Sequence, residues 1–85
     1  MRKIHSDKAP KAIGPYAQAI VAGDFVFCSG QTPLDPKTMQ LVGEDIVPQT
    51  RQVLSNLSVI LGNEGLGLKD VVKVTVFLKN FADFE

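Results

Sequence analysis

Two β-prone runs, residues 17–21 and 25–29, flank the pair Gly23-Asp24. A glycine-containing pair between such runs closes a tight hairpin, because glycine supplies the positive φ that a two-residue turn of the right twist requires. The second run, Phe25-Val26-Phe27-Cys28-Ser29, is apolar without alternation, which predicts burial of both of its faces. Something must therefore cover the sheet on each side.

Upstream, residues 2–5 form a short extended lead-in, followed by Ala9-Pro10-Lys11-Ala12-Ile13-Gly14-Pro15. Two prolines and a glycine exclude both a helix and a central strand there, since each proline removes a backbone donor and fixes φ. Gly30-Gln31-Thr32-Pro33 ends the second run, and Asp35-Pro36-Lys37-Thr38 predicts a turn within a surface loop that reaches Gly43. Glu44-Asp45 opens the one convincing helix, with the Asp45 carboxylate as N-cap and Pro48 in the first turn. Val53, Leu54, Leu57, Ile60 and Leu61 then fall at helical spacing, with Arg51, Gln52, Ser55 and Asn63 off that stripe. Gly62 weakens the last turn by about 1 kcal/mol relative to alanine. Gly65 and Gly67 are expected to supply a left-handed stop.

Residues 71–79 read as a further strand. Val72, Val74, Val76 and Leu78 make one wholly apolar face, assigned to packing on the helix. Val71, Lys73, Thr75, Phe77 and Lys79 make a mixed face, assigned to a subunit contact or a cleft wall. Asn80-Phe81-Ala82-Asp83-Phe84-Glu85 begins a second helix, capped by Asn80 or Asp83. The unit is β-β-β-α-β, an α+β layer with the helix on one sheet face. That order alone identifies no chemistry.

Eighty-five residues make one small domain. A chain this short buries only about 60–65% of the surface its unfolded form exposes, so a partner subunit would help it. Nine basic and nine acidic residues cancel, and no basic run exceeds Arg2-Lys3, which leaves no electrostatic footprint for a nucleic-acid backbone. Nothing in the sequence approaches a membrane span, and no apolar leader follows the opening Met-Arg-Lys. One cysteine excludes an internal disulfide and fits a reducing compartment. The expectation is a soluble, cytoplasmic protein.

Few residues offer chemistry. Tyr16 stands where a rigid turn hands over to a strand. It reads either as a half-buried aromatic with a satisfied hydroxyl or as a fixed phenol that bonds a small polar ligand. Cys28-Ser29-Gly30-Gln31 reads either as a strand terminator or as a close-approach turn in which Ser29 and the Gly30 N–H donate to an anion. Cys28, inside an apolar strand, is expected to be buried and inert rather than nucleophilic. His5 has no second histidine with which to build a metal site or an acid–base pair. Walker loops, dinucleotide fingerprints, zinc spacings and a Ser-His-Asp arrangement are all lacking.

Four segments in order carry a resemblance. Residues 9–19 (Ala-Pro-Lys-Ala-Ile-Gly-Pro-Tyr-Ala-Gln-Ala), 29–36 (Ser-Gly-Gln-Thr-Pro-Leu-Asp-Pro), the helix segment 49–57, and 72–78 with the following Asp83-Phe84 resemble the RidA/YjgF family in register. The resemblance implies a chorismate-mutase-like homotrimer with sheets packed around a central barrel. It implies hydrolysis of reactive 2-imino acids, such as 2-iminopropanoate and 2-iminobutanoate, to 2-keto acids and ammonia without cofactor or metal. Tyr16 matches the family's site tyrosine, and Ser29 and Gly30 match the pair lining the same cleft. Residues 1–85 then form a single domain that stops before the family's C-terminal helix and strands. The carboxylate-clamping arginine of a Pro-Ala-Arg stretch and the glutamate of an Ile-Glu pair belong to that later part, and neither Arg2 nor Arg51 is nominated in their place. Relatives labelled ribonucleases or translation inhibitors, and others that act as ligand-binding or chaperone-like oligomers, supply the alternative functions.

Overall fold

The computed structural model describes residues 1–84. Three strands, β1 (Arg2–Ile4), β2 (Ala19–Ala22) and β3 (Phe25–Cys28), precede one long helix, α1 (Ile46–Gly62). Single 3₁₀ turns follow at Leu68–Asp70 and Phe81–Phe84. The sheet order is β1-β2-β3, antiparallel throughout, with Ile4 opposite Ala19 and Ala22 opposite Phe25. The predicted hairpin forms at Gly23-Asp24. Gly23 has φ 60° while Asp24 stays on the negative side, as in a type II′ turn, whose twist matches the strands it joins.

α1 covers one sheet face. Ile60 is fully buried against Ile4, Ala9 and Ala19, with Val21, Val26 and Val59 packed around them. The cross-strand pairs Ile4–Ala19 and Val21–Val26 therefore point at the helix. β1 is further tied to the end of α1, since the Arg2 guanidinium donates to the Glu64 carboxylate. That bond holds the Glu64 carboxyl below its ordinary range. A carboxyl with a lowered folded pKa stabilises the fold above its unfolded pKa, and the contribution fades as pH falls through the lowered value.

The helix ends differ from expectation in two details. Asp45 occupies the N-cap position with extended backbone, but its side chain makes no capping bond. An N-cap side chain accepts from the second or third helical N–H, and the third helical residue is Pro48, which has none. At the other end the Leu66 N–H donates to the Leu61 carbonyl and the Gly65 N–H to that of Gly62, with Gly65 at φ 72°. This is a Schellman stop. Gly67 plays no left-handed part, being extended.

The buried stripe of α1 is also shifted. Leu54 is 43% exposed, whereas Asn56 is 1% exposed and lies one turn before Ile60. The Asn56 carboxamide donates to the carbonyls of Thr32 (3.4 Å) and Leu34 (3.0 Å) and accepts from Gln52 (2.9 Å). It therefore fastens the loop after β3 to the helix. That loop turns back tightly as predicted, with the Asp35 carboxylate accepting from the N–H groups of Lys37 and Thr38 and a bridge joining Leu34 to Leu41.

Two expected burials do not occur among the described residues. Phe25 and Phe27, on the sheet face away from α1, are 60% and 63% exposed, their rings 6.3 Å apart. One helix covers one face, and no described element covers the other. Residues 71–79 form no strand. A strand exists through its ladder, and no described segment pairs with this one. Val72, Val74, Val76 and Phe77 are consequently exposed rather than packed on α1. Asn80 does cap the final turn, accepting from the Ala82 N–H through its side chain. Glu85, the last residue of that expected helix start, lies outside the described residues.

Asn56→Ala should lower stability by about 1–3 kcal/mol, because the Thr32 and Leu34 carbonyls lose their partner near a buried face. Urea unfolding would measure it, and an unchanged midpoint would show that the anchor is dispensable.

Candidate functional site

Tyr16 ends a run in which Pro10 and Pro15 fix φ and Gly14 turns the chain at φ 94°. The Tyr16 N–H donates to the Gly14 carbonyl at 2.9 Å, a local bond that folds the chain just ahead of the phenol. Tyr16 itself is 53% exposed. The ring is thus half-exposed and lies outside the hydrophobic core.

β3 delivers the second half. Ser29 follows its last residue, and its N–H donates to the Gln18 carbonyl at 3.0 Å. Its hydroxyl donates to the Ala17 carbonyl at 2.5 Å. The end of β3 is thereby bound to the backbone immediately after Tyr16. A serine hydroxyl has one proton, and here the proton is committed to Ala17. Its oxygen retains lone pairs, so toward a ligand Ser29 can accept but not donate. The expected donation from Ser29 to an anion is thus replaced by acceptance.

Gly30 keeps the donor role. Among the described residues its N–H meets no acceptor, and a Cβ placed on it would meet no atom within 4 Å. Its φ lies outside the left-handed region. Neither crowding nor backbone conformation requires glycine here, and a bare peptide open to a close-approaching group remains. Gln31 adds only weak contacts of 3.4 Å from its amide to the Ser29 and Gly30 carbonyls.

Cys28 departs from expectation, being exposed rather than buried. β3 ends there, and no described segment lies over it. Partial desolvation by the neighbouring protein nevertheless raises its thiol pKa. A thiol held protonated is a poor nucleophile.

The charged groups lie elsewhere. His5 Nε2 and the Asp7 carboxylate, 2.8 Å apart, line a cleft of about 250 Å³ with Lys11 and Lys37. Arg51 lines a second cleft with Thr50 and Asp83, and Arg2 is engaged by Glu64. Neither arginine shares a wall with Tyr16. Among the described residues, no group of three His, Cys, Asp or Glu side chains is placed to hold a metal ion. No described helix is long and apolar enough to cross a membrane.

Gln18 and Asn56, buried at 2% and 1% exposure, fasten the two loops of the site and were not singled out by sequence. Asn56 shares a face with Ile60 four residues on, and Gln18 directly precedes an apolar strand. A polar residue intruding on an apolar pattern was the available signal.

A family model described as endoribonuclease L-PSP matches residues 6–85. A RutC family protein of Pyrococcus horikoshii is 57% identical over 81 residues, covering 95% of this chain and 64% of its own length. Of solved structures, RidA from an Antarctic Psychrobacter superposes with a TM-score of 0.92 at 43% identity, over 99% of this chain and 68% of its own. E. coli TdcF, solved with bound serine, superposes with a TM-score of 0.91 at 39% identity, over 99% and 65%. The chain thus spans about two thirds of the length of these proteins.

For Cys28, alkylation by iodoacetamide should run slower than that of a free model thiol at mildly alkaline pH, with a rate–pH midpoint displaced upward. A rate equal to the model thiol would contradict the raised pKa.

Proposed function

The chain belongs to the RidA/YjgF family, whose model bears the description endoribonuclease L-PSP, and from this membership we propose that the subunit containing it hydrolyses small 2-imino acids. The observation that carries the reading is the bond from the Ser29 hydroxyl to the Ala17 carbonyl. It joins the end of β3 to the residue after Tyr16, which supports a reading in which a phenol, hydroxyl lone pairs and a free peptide N–H serve one site. The bound serine of TdcF supports a small amino-acid-like ligand.

The reaction makes few demands. Water adds to the carbon of a protonated C=N, giving a tetrahedral carbinolamine. Proton transfer to nitrogen and collapse then release ammonia and leave the 2-keto acid. No redox change occurs, so the reaction needs no redox cofactor. Holding the anion, the nitrogen and one water in register supplies much of the acceleration. In this proposal the Gly30 N–H donates to the substrate carboxylate. Ser29 Oγ accepts from the iminium N–H, which its committed proton leaves it fit to do. Tyr16 orients the attacking water. The resemblance places the arginine clamp and the water-handling glutamate in the part of the family's length that this chain does not span.

A homotrimer belongs to the same proposal. Phe25 and Phe27, whose rings are neighbours, and separately Phe77 leave apolar surface that a second subunit would bury. The family description as an endoribonuclease finds less support, because nine basic and nine acidic residues cancel and no basic run exceeds Arg2-Lys3.

In a full-length, active subunit, Tyr16→Phe should slow turnover of freshly generated 2-iminopropanoate with the fold intact, by the equivalent of one neutral hydrogen bond, about 0.5–1.5 kcal/mol. An unchanged rate would remove Tyr16 from the site.

Residues 1–85 alone should lack this activity and should associate heterogeneously, since a charge-assisted anchor of about 1.5–3 kcal/mol is missing and a free β3 edge invites pairing. Turnover and solution size, measured together, test both. Full activity in a sharp trimer peak would sink the site assignment.

A further inference from the structure

We propose that Gln18 is a positioning residue for Tyr16, acting by clasping the far end of the loop that carries the phenol. Its kinetic consequence rests on the imine-hydrolysis reading above, whereas its structural consequence does not. The Gln18 carboxamide is buried and fully engaged. Its Oε1 accepts from the Ser6 N–H at 2.6 Å, and its Nε2 donates to the carbonyls of Ser6 at 3.1 Å and Pro10 at 2.8 Å. All three partners are backbone groups. The side chain therefore fixes the path of the chain whatever side chains the loop carries.

That path matters because little else holds it. Among the described residues, 11–16 make a single hydrogen bond, the local one from the Tyr16 N–H to Gly14. Ile13 and Tyr16 are 63% and 53% exposed, so core packing does not hold them either. The loop is fastened at its two ends, by Gln18 at the Pro10 carbonyl and by Ser29 at the Ala17 carbonyl. Pro15 stiffens what lies between. The location of the phenol is thus set by the separation of two anchors. Loss of the Gln18 clasp frees one end while leaving β2, β3 and α1 in place.

The test uses the full-length subunit with Gln18→Met, which keeps length but makes no hydrogen bonds, and Gln18→Glu, which sets a carboxylate against two carbonyls. Gln18→Met should lower kcat for 2-iminopropanoate about tenfold with KM less affected, the mark of a misplaced reacting group. Combined with Tyr16→Phe it should cost little more, because both changes remove one function. Gln18→Glu should regain turnover as falling pH protonates the buried carboxyl, which then donates to a carbonyl. Independently of turnover, NMR of ring-labelled tyrosine, with the Tyr16 signal identified by its loss in Tyr16→Phe, should show increased ring motion in Gln18→Met while α1 amide shifts persist. Additive losses in the double variant, or an unchanged Tyr16 signal, would overturn the proposal. Absence of turnover in the unsubstituted subunit would overturn the imine reading instead, and the ring signal would still decide the role of Gln18. Should Gln18→Met fail to fold, the pH rescue of Gln18→Glu, read on the same ring signal, decides it.

Discussion

The burial of Ile60 is the contact on which the other elements depend. Its side chain has no exposed surface and touches residues from β1, β2 and the proline-rich loop at once. Two of those partners are alanines, Ala9 and Ala19, whose small side chains leave room for a branched one. Burying an isoleucine contributes about 1.5–3 kcal/mol, a large share of the net stability of a domain this small. β1 has three residues and no other apolar purchase than Ile4, so without Ile60 it would have little reason to join β2.

Polar side chains then do what apolar packing cannot, which is to fix irregular backbone. The loop before β2 and the loop after β3 contain four prolines and three glycines, and their carbonyls find few ladder partners. Gln18 and Asn56 satisfy loop carbonyls from buried positions, those of Ser6 and Pro10 and those of Thr32 and Leu34, each accepting a hydrogen bond in return. Burying a carboxamide costs free energy unless its donors and acceptor are all engaged. Here they are, and no described buried side-chain nitrogen or oxygen lacks a partner. The candidate site sits between these two fastenings. Its rigidity is that of hydrogen-bonded loops mounted on a small core.

The legible parts of the fold were those determined locally. Gly23-Asp24 specified its turn, Gly65 its helix stop and Asp35 its loop, each through interactions with near neighbours in sequence. The 3.6-residue period likewise revealed α1, though the true stripe includes Asn56 where Leu54 was expected. Hydrophobicity misled wherever burial depended on something distant. The valines at 72, 74 and 76 alternate as a half-buried strand should, yet a strand is a relation between two segments, and one of the pair is lacking among the described residues. Cys28 and Phe27 failed for the same reason. At the site, the residue types at 16, 29 and 30 were legible. The commitment of the Ser29 proton was not, because it depends on a carbonyl twelve residues earlier.

That commitment bears on how such a site would distinguish its ligand. A serine free to rotate can donate to an anion or accept from a cation, and so discriminates between them weakly. With its proton on Ala17, Ser29 offers only negative potential, while the peptide of Gly30 offers only positive. Adjacent residues thus present opposite signs. An edge of that kind suits a small zwitterion-like group, with a cationic nitrogen beside an anionic carboxylate, better than a simple anion or a simple cation. A protonated 2-imino acid has that charge pattern, and the 2-keto acid formed from it has lost the cationic half. The loss of the iminium N–H removes the contact to Ser29 while leaving the one to Gly30. In the proposed reaction, binding weakens as chemistry completes, and product release is favoured by the same bond that organises the site.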